Sequence, residues 1–306
     1  MTTVNEFDSN VADSARFLDA VRLTETDDAP AGHRAFTATT QYVPWPKAYG
    51  GDLVAQAVAA ACATVEGKTV HSAHSYFLRP AEIGGDVRYE VEILRDGRGY
   101  ATRHVRGLQS GKVIYTCYAS FAAGADGTEI PGAPLVGEVA ATGLAGVPDP
   151  ESLPSSAQAL AGRDGADADY WSHGRSFEMR HVPDPIYLPG DRDRDRVPRQ
   201  AVWIKAFSEL PEEQTVHDIA LAYCCDYTIL EPSLRALGAS WSDEGLRTAS
   251  LDHAMWFHRP ARLDDWVLYS QESLNVGSSR GLNTGRFHDR KGTHLATVCQ
   301  EGLLAQ

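Results

Sequence analysis

Hydrophobic and polar positions follow regular patterns in two stretches of the chain, and each stretch contains one segment of helical period. In the first stretch, residues 35–123, apolar residues at helical spacing predict a helix that opens at Gly50 and Gly51. Period-two runs separated by glycine-containing turns predict antiparallel strands over 72–78, 87–94, 101–108 and 113–122.

The second stretch, residues 200–306, repeats this order. A helix is predicted over 215–237, with a break or bend near Pro232, and strands over 248–258, 267–274, 281–288 and 294–303. The sequence itself repeats, since HSYFLRP at 74–80 returns as HAMWFHRP at 253–260. We pair His74 with His253. A unit of this length is a small domain, which predicts two fused copies of one fold.

These patterns predict four regions. Residues 1–34 form an N-terminal segment, 35–123 a first domain, 124–199 a connector and 200–306 a second domain. The connector is rich in Gly, Pro, Ala and Asp, and it ends in alternating Asp and Arg residues at 191–196, which predicts a solvated loop. The fold class is α+β, with a long helix wrapped by an antiparallel sheet in each domain.

Composition restricts the function classes. The chain has 306 residues, 43% of them hydrophobic, which is enough for two cores of ordinary size. Its net charge of −13 argues against nucleic-acid or anionic-membrane partners. No stretch approaches the roughly 18 apolar residues of a membrane span, and the first residues lack the apolar core of a secretory signal, so a cytoplasmic protein is predicted.

Cysteine usage and sheet edges add two expectations. The five cysteines form no C-x-x-C pair and have no histidine at metal spacing, which predicts reduced thiols and neither a metal nor another cofactor. Exposed sheet edges favour a homo-oligomer, a dimer or a tetramer.

Two polar residues occupy positions where the pattern calls for apolar ones. Asp226 falls on the apolar stripe of the second helix, and Gln300 shares a strand face with Ala296 and Val298. Burial of a polar group without a hydrogen bond costs roughly 2–7 kcal/mol, and burial of an unpaired charge costs more. Asp226 is therefore either held by hydrogen bonds for structure or retained because chemistry uses a raised pKa.

Residues 250–253 contain a serine and a histidine close together. Strict alternation places Ser250 and His253 on opposite faces of the strand, which argues against a nucleophilic triad. Because His253 is paired with His74 in the repeat, we interpret it as structural. Gln300 corresponds to Ala119, so any chemistry is predicted to lie mainly in the second copy.

Several segments together resemble the type II acyl-CoA thioesterases, the TesB-like double-hotdog family. They are Tyr49-Gly50-Gly51, HSAHSYFLRP at 71–80, LAYCCD at 221–226, LDHAMWFHRP at 251–260 and QEG at 300–302. The resemblance spans nearly the whole chain and is weakest in the connector. It implies a double-hotdog fold and hydrolysis of fatty acyl-CoA to free fatty acid and CoA, within fatty acid metabolism. It also implies that Asp226, Ser250 and Gln300 bind the attacking water.

The chemistry agrees with these residue types. A thiolate leaving group has a conjugate acid with a pKa of about 8.5, so activation of water is the larger task. We expect Asp226 to orient and deprotonate the water while Ser250 and Gln300 fix its position. Each of the other candidates has a functional and a structural interpretation. Candidates for binding the oxyanion or the substrate are Gly50, Gly51 and His71. Candidates for binding CoA are Arg79, Arg259 and Arg280, and each of these arginines alternatively pairs with an acidic neighbour.

Two other functions remain as alternatives. A hotdog enoyl-CoA hydratase needs an Asp and a His close together after a glycine, and the segment after Gly51-Asp52 lacks that histidine. A non-catalytic acyl-CoA-binding or sensor protein would keep a groove, but it would have no reason to retain Asp226, Ser250 and Gln300 together.

Overall fold

The computed structural model describes residues 14–124, 127–130, 147–188 and 196–305. Within those ranges the helices are α1 (Ala15–Ala20), α2 (Gly50–Cys62), α3 (Ser156–Ala159), α4 (Ala166–Asp169), α5 (Gln214–Cys224) and α6 (Glu231–Leu237). The strands are β1 (Thr24–Thr26), β2 (His33–Thr39), β3 (Thr69–Phe77), β4 (Asp86–Asp96), β5 (Tyr100–Gln109), β6 (Lys112–Ala122), β7 (Phe177–Val182), β8 (Arg199–Ala206), β9 (Arg247–Ser250), β10 (Asp252–Phe257), β11 (Val267–Gly277), β12 (Arg280–Asp289) and β13 (His294–Ala305). A 3₁₀ turn at Pro150–Ser152 and a π-helical turn at Tyr170–Gly174 complete the regular elements.

The strands form one continuous antiparallel sheet. Its order is β1-β2-β4-β5-β6-β3-β10-β13-β12-β11-β8-β7, with β9 paired to β13. The two halves meet where β3 pairs with β10, from Tyr76 opposite Asp252 to Ser72 opposite Trp256. Helices α2 and α5 pack against each other, and residues 51–61 of α2 are all buried. Two fused copies therefore share one core.

Most of the predicted elements are present. The helix at Gly50 is confirmed, as are strands at all eight predicted places. Strands β1, β2, β7 and β8 were not predicted, and β7, α3 and α4 lie in the segment predicted as a connector. Residues 1–13 of the N-terminal segment, and residues 191–195 of the alternating charge run, lie outside the described residues.

The second helix differs from the prediction over 215–237. It consists of α5 and α6, separated by an irregular segment at 225–230 that contains Asp226. Pro232 lacks an N–H group, and its ring would clash with a carbonyl one turn earlier in a continuous helix, so it is tolerated only in the first turn of α6. Asp226 therefore follows the helix end and does not lie within a helical stripe.

The repeat also aligns differently from the predicted pairing of His74 with His253. Equivalent backbone hydrogen bonds run from Leu78 and Arg79 to the carbonyl of Ile114, and from His258 and Arg259 to the carbonyl of Leu295. Counting back from these arginines, His253 corresponds to Ala73. The pairing was wrong because the second copy carries one more residue between its histidine and its proline. His74 is exposed, whereas His253 is buried.

Gly285 on β12 permits close packing of two aromatic rings. Tyr269 and Phe287 stack with ring centroids 3.9 Å apart. A Cβ atom at Gly285 would lie 2.4 Å from Cε2 of Tyr269, so Gly285→Ala forces this buried ring to move. We expect a loss of about 1–3 kcal/mol in the free energy of unfolding, measured by denaturant titration.

Gly277→Ala on β11 is the matched control, because its new Cβ would meet only the Asn275 amide nitrogen, at 3.8 Å. This variant should stay within about 0.5 kcal/mol of wild type. Equal losses in the two variants would contradict the packing argument.

Candidate active site

Asp226 lies at the irregular segment after α5, where it meets the N-terminus of α2. Gly50 makes this approach possible, since a Cβ at that position would lie 2.5 Å from Asp226 Oδ2. The backbone N–H of Gly51 donates a hydrogen bond to the Asp226 carboxylate. The positive end of the α2 dipole thus faces the carboxylate and favours its charged form.

Asp226, Ser250 and Gln300 lie together in one hydrogen-bonded cluster. The Ser250 hydroxyl donates to Asp226 Oδ1 at 2.8 Å. The Gln300 Nε2 group donates to Asp226 Oδ1 at 2.6 Å and to Ser250 Oγ at 2.9 Å. Side chains from β9 and β13 therefore both donate to one carboxylate oxygen, which belongs to the loop after α5.

His253 also reaches this cluster. Its Nδ1 lies 3.0 Å from Gln300 Oε1. Burial lowers the pKa of His253 to about 4, so the neutral ring donates through Nδ1–H. This bond fixes the orientation of the amide, because an amide whose oxygen faces His253 must turn its nitrogen towards Asp226 and Ser250.

The prediction that Ser250 and His253 point apart is wrong, since both contact Gln300. An interruption at Leu251 separates β9 from β10 and shifts the register by one residue. Ser250 is paired with Gly302, whereas Ala254 is paired with Cys299. An extra residue of this kind re-aims the side chains that follow it.

The electrostatic environment of Asp226 is a balance between burial and compensating contacts. Burial raises the pKa of Asp226, while the hydrogen bonds from Gln300 and Ser250 and the charge of Lys47 act in the opposite direction. Lys47 is itself half-buried and donates to the carbonyl of Thr248, and burial lowers its pKa. A carboxylate with a raised pKa is a stronger base than an exposed one.

A cavity of about 570 Å³ opens beside Asp226. Exposed residues such as Leu78, Arg79 and Arg247 line one part of it, and buried ones such as Tyr170 and Arg175 line another, so it leads from the surface to the interior. Much of the wall is aromatic: Trp45, Tyr49, Phe77, Tyr170, Trp171, Tyr227 and Trp241. Sites of this shape bind ligands with a large apolar part.

The structure brings some of the remaining candidates to this cavity and leaves others elsewhere. Gly50 and Arg79 line it, and Gly51 contacts Asp226. His71, Arg259 and Arg280 are not among its lining residues. Each has another partner: His71 with Ser120 Oγ at 2.8 Å, Arg259 with Glu129 at 2.9 Å and Arg280 with Glu301 at 3.1 Å.

Three cationic residues of the cavity wall were not predicted from the sequence: Lys47, Arg175 and Arg247. Lys47 and Arg247 each lie three residues before a candidate residue, Gly50 and Ser250 respectively, which is a usable signal. Arg175 lies in the predicted connector and carries no such signal. Within the described ranges no group of three or more His, Cys, Asp and Glu side chains could hold a metal ion.

Asp52, in the first turn of α2, is a second buried carboxyl group. Its Oδ2 accepts from the Gln41 N–H at 2.7 Å, while Oδ1 has no hydrogen-bond partner among the described residues, and burial raises the pKa of Asp52 to about 7 from 3.8. Between pH 3.8 and about 7 the folded protein therefore keeps this proton while the unfolded chain releases it, so the free energy of unfolding falls as the pH rises through that range.

Asp52→Asn removes this titrating group and with it the decrease in the free energy of unfolding. The free energy of unfolding of the variant minus that of wild type should therefore be larger at pH 8.5 than at pH 4.

Denaturant titrations at the two pH values test this expectation, with Asp164→Asn at an exposed loop position as the control. The argument fails if the Asp52→Asn variant and wild type respond identically to pH.

Family models and curated relatives match both halves of the chain. A family model described as "Acyl-CoA thioesterase" matches residues 177–303, and one described as "Acyl-CoA thioesterase N-terminal domain" matches residues 41–122. The chain is 32% identical over 292 residues to human acyl-coenzyme A thioesterase 8, covering 90% of this chain and 86% of the relative. It is 30% identical over 300 residues to acyl-CoA thioesterase 2 of Haemophilus influenzae, covering 93% and 95%.

Solved structures give the same result. An acyl-CoA thioesterase II of Mycobacterium marinum is 28% identical, with a TM-score of 0.70 and coverage of 94% of this chain and 96% of that one. A protein of Alicyclobacillus acidocaldarius described as having a hot dog fold is 17% identical, with a TM-score of 0.73 and coverage of 95% and 98%. These likenesses confirm the predicted α+β double-hotdog fold. No helix in the described segments is long and apolar enough to span a membrane.

Proposed function

The chain belongs to the acyl-CoA thioesterase family, and we propose that it hydrolyses fatty acyl-CoA with Asp226, Ser250 and Gln300 as its catalytic residues. Members of this family are thioester hydrolases. The observation that supports the residue assignment is the convergence of an amide, a hydroxyl and a helix N-terminus on one desolvated carboxylate at a cavity wall.

In the first step Asp226 acts as general base. It accepts a proton from a water molecule as the water oxygen attacks the thioester carbonyl carbon, which gives a tetrahedral oxyanion. A positioned base of this kind contributes about 10² to 10⁴ in rate. Gln300 and Ser250 hold the carboxylate and the water in one geometry, and His253 acts as a positioning residue because it fixes the Gln300 amide.

In the second step the tetrahedral species collapses. The C–S bond breaks, the carbonyl reforms as that of the free acid, and the CoA thiolate leaves with a conjugate-acid pKa of about 8.5. The proton on Asp226 neutralises this thiolate. The first turn of α2, which begins at Gly50, presents backbone N–H groups and the positive dipole end to the oxyanion.

We assign the two parts of the substrate to different parts of the cavity. We assign the acyl chain to the buried aromatic part, where apolar contact area is largest. We assign the phosphates of CoA to the exposed part near Arg79 and Arg247, since both side chains face solvent there. Arg259 and Arg280 are less suitable, because Glu129 and Glu301 already neutralise them.

Asp226→Asn tests the catalytic assignment. We expect kcat to fall by about 10² to 10⁴ for a palmitoyl-CoA or hexanoyl-CoA substrate, because an amide accepts no proton from water. Ser250→Ala and Gln300→Leu should each lower kcat less. The measurement is thiol release from acyl-CoA followed with a thiol reagent.

Asp218→Asn is the matched control. Asp218 is also a buried carboxyl group whose pKa burial raises, to about 6, but it does not line the cavity. Its amide variant should remain active. A wild-type protein that binds acyl-CoA without releasing thiol would refute the enzymatic function, and an active Asp226→Asn variant would refute the assignment of the base.

Lys47→Met tests the electrostatics of the site. Activity requires the carboxylate form of Asp226, so log(kcat/KM) should rise with pH through the pKa of this residue. Because the Lys47 charge lowers that pKa, its removal should move the acidic limb of the profile to higher pH. Lys112→Met, at an exposed position, changes the net charge equally and should leave the limb in place. Equal shifts in both variants would show that Lys47 has no local effect.

A further inference from the structure

The C-terminal end of α5 leaves backbone carbonyl groups inside the core, directly before Asp226. The last carbonyls of a helix have no donor within the helix, and a buried carbonyl without a donor costs free energy. Residues 220–225 are all buried. Hydrogen-bond donors for these carbonyls therefore have to come from the protein itself.

Three of the carbonyls are bound by groups that are close in the sequence. The Cys225 N–H donates to the carbonyl of Leu221 at 3.1 Å, and the Tyr227 N–H donates to that of Cys224 at 3.2 Å. The Cys225 thiol donates to the carbonyl of Ala222 at 3.0 Å. These bonds need no contact with other elements of the fold.

Two further carbonyls, those of Tyr223 and Cys225, are bound by tyrosine hydroxyls from distant parts of the chain. Tyr49 donates to the Tyr223 carbonyl at 2.6 Å, and Tyr269 donates to the Cys225 carbonyl at 2.8 Å. Tyr49 also lines the cavity, whereas Tyr269 and Cys225 are not among its lining residues. The contact of Tyr269 can therefore be removed without changing the cavity wall.

The Tyr269 side chain is held firmly in the core of the second copy. It is fully buried, and its ring is stacked on Phe287 at a centroid distance of 3.9 Å and an interplanar angle of 6°. The Cys225 carbonyl carbon is covalently bonded to the backbone nitrogen of Asp226. A fixed hydroxyl on this carbonyl therefore restrains the peptide plane from which the residue with the carboxylate begins.

We propose that Tyr269 is a positioning residue for the hydrolysis, because its hydroxyl holds the peptide unit between Cys225 and Asp226. This inference rests on the proposed thioesterase function. The hydroxyl acts through the backbone and does not contact substrate. It keeps the Asp226 carboxylate within hydrogen-bond distance of its side-chain donors on β9 and β13.

Tyr89 in the first copy is the matched residue for comparison. Both tyrosines lie nine residues after the proline of their repeat, and both are fully buried. The Tyr89 hydroxyl donates to Gln56 Oε1 at 2.7 Å, a side chain in the middle of α2. A buried tyrosine needs a partner in either copy, but in the second copy that partner is the backbone next to Asp226.

Tyr269→Phe keeps the stacked ring and removes the hydroxyl. Because a small misplacement of a reacting group is costly, we expect kcat for hexanoyl-CoA to fall about 10- to 100-fold. KM should stay within about twofold of wild type, since the cavity wall is unchanged. Tyr89→Phe loses a comparable buried hydrogen bond and should keep the wild-type kcat. Wild-type kcat in Tyr269→Phe, or equal losses in the two variants, would overturn the proposal.

The pKa of Asp226 reports its position more directly than the rate does. The hydrogen bonds from Gln300 and Ser250 lower this pKa and depend on short distances, whereas burial raises it through the whole surroundings. A displaced carboxylate keeps the cost of burial and loses part of the compensation. In Tyr269→Phe the pKa of Asp226, and with it the acidic limb of log(kcat/KM), should therefore move to higher pH.

Other titratable groups also act on Asp226 and have to be separated from it. They are Lys47, Tyr49, Asp52, Cys225 and Tyr269. Burial raises the pKa values of the two tyrosines and the cysteine well above their ordinary range, so these three stay neutral during the titration. Burial raises the pKa of Asp52 to about 7, so this carboxyl group titrates within the measured range.

Carbon-13 NMR of protein labelled at the aspartate carboxyl carbons distinguishes the two carboxyl groups. The Asp226 signal is identified by its absence from the Asp226→Asn spectrum, and its titration gives the pKa without turnover. We expect a higher pKa in Tyr269→Phe than in wild type or in Tyr89→Phe. An unchanged pKa in Tyr269→Phe would contradict the positioning role.

If Tyr269→Phe fails to fold, Phe287→Leu replaces it. This variant withdraws the stacked ring, so Tyr269 is free to move away from the Cys225 carbonyl, and the same changes in kcat and in the pKa of Asp226 are expected. A folded Phe287→Leu variant with the wild-type kcat and the wild-type pKa would sink the proposal.

The two measurements also separate this inference from the proposed function. Thiol release by wild type together with full activity of Tyr269→Phe would refute the role of Tyr269 and leave the thioesterase function intact. A wild-type protein that releases no thiol, but whose Asp226 pKa rises in Tyr269→Phe, would refute the thioesterase function and support the restraint on Asp226.

Discussion

The desolvated carboxylate of Asp226 is the group on which the rest of the site depends. Burial disfavours its charge, and contacts from several separate elements offset that cost: a hydroxyl from β9, an amide from β13, a backbone N–H from α2 and an ammonium from the loop before α2. The helix break after α5 and the absence of a side chain at Gly50 are both needed for the carboxylate to reach this position. An irregularity in one copy is thus fitted to a glycine in the other.

The two copies of the fold contribute unequally. Where the second copy has Ser250, His253 and Gln300, the first has Val70, Ala73 and Ala119, all buried and apolar. Polar groups at these positions of the first copy would be buried without a carboxylate to bind, so apolar residues cost less free energy there. The first copy nevertheless supplies the N-terminus of α2, and one complete site therefore needs both halves of the chain.

The sequence predicted features that depend on neighbours along the chain. The period of the strands, the helix at Gly50 and the misplaced polarity of Asp226 and Gln300 are all visible in short windows. Features that depend on register were missed. A single extra residue before Pro260 misaligned the histidines, and the interruption at Leu251 reversed the expected direction of His253. Alternation predicts faces only while the strand remains regular.

Arg175 was missed for a different reason. It contacts the hydroxyl and the ring of Tyr187 and the ring of Tyr227, neither of which is adjacent to it in the sequence, and no periodic pattern marks its position. The cavity wall carries the guanidinium of Arg175 as well as the carboxylate of Asp226. Each has its own neutral partners: Arg175 contacts the hydroxyl and the ring of Tyr187 and the ring of Tyr227, whereas Asp226 accepts hydrogen bonds from Ser250 and Gln300. A guanidinium paired with the carboxylate would lower the pKa of Asp226 further, and with it the basicity that the proposed reaction requires. The half-buried ammonium of Lys47 is the cation that acts on Asp226, and its effect is smaller than that of burial, so the pKa of the carboxyl group stays raised.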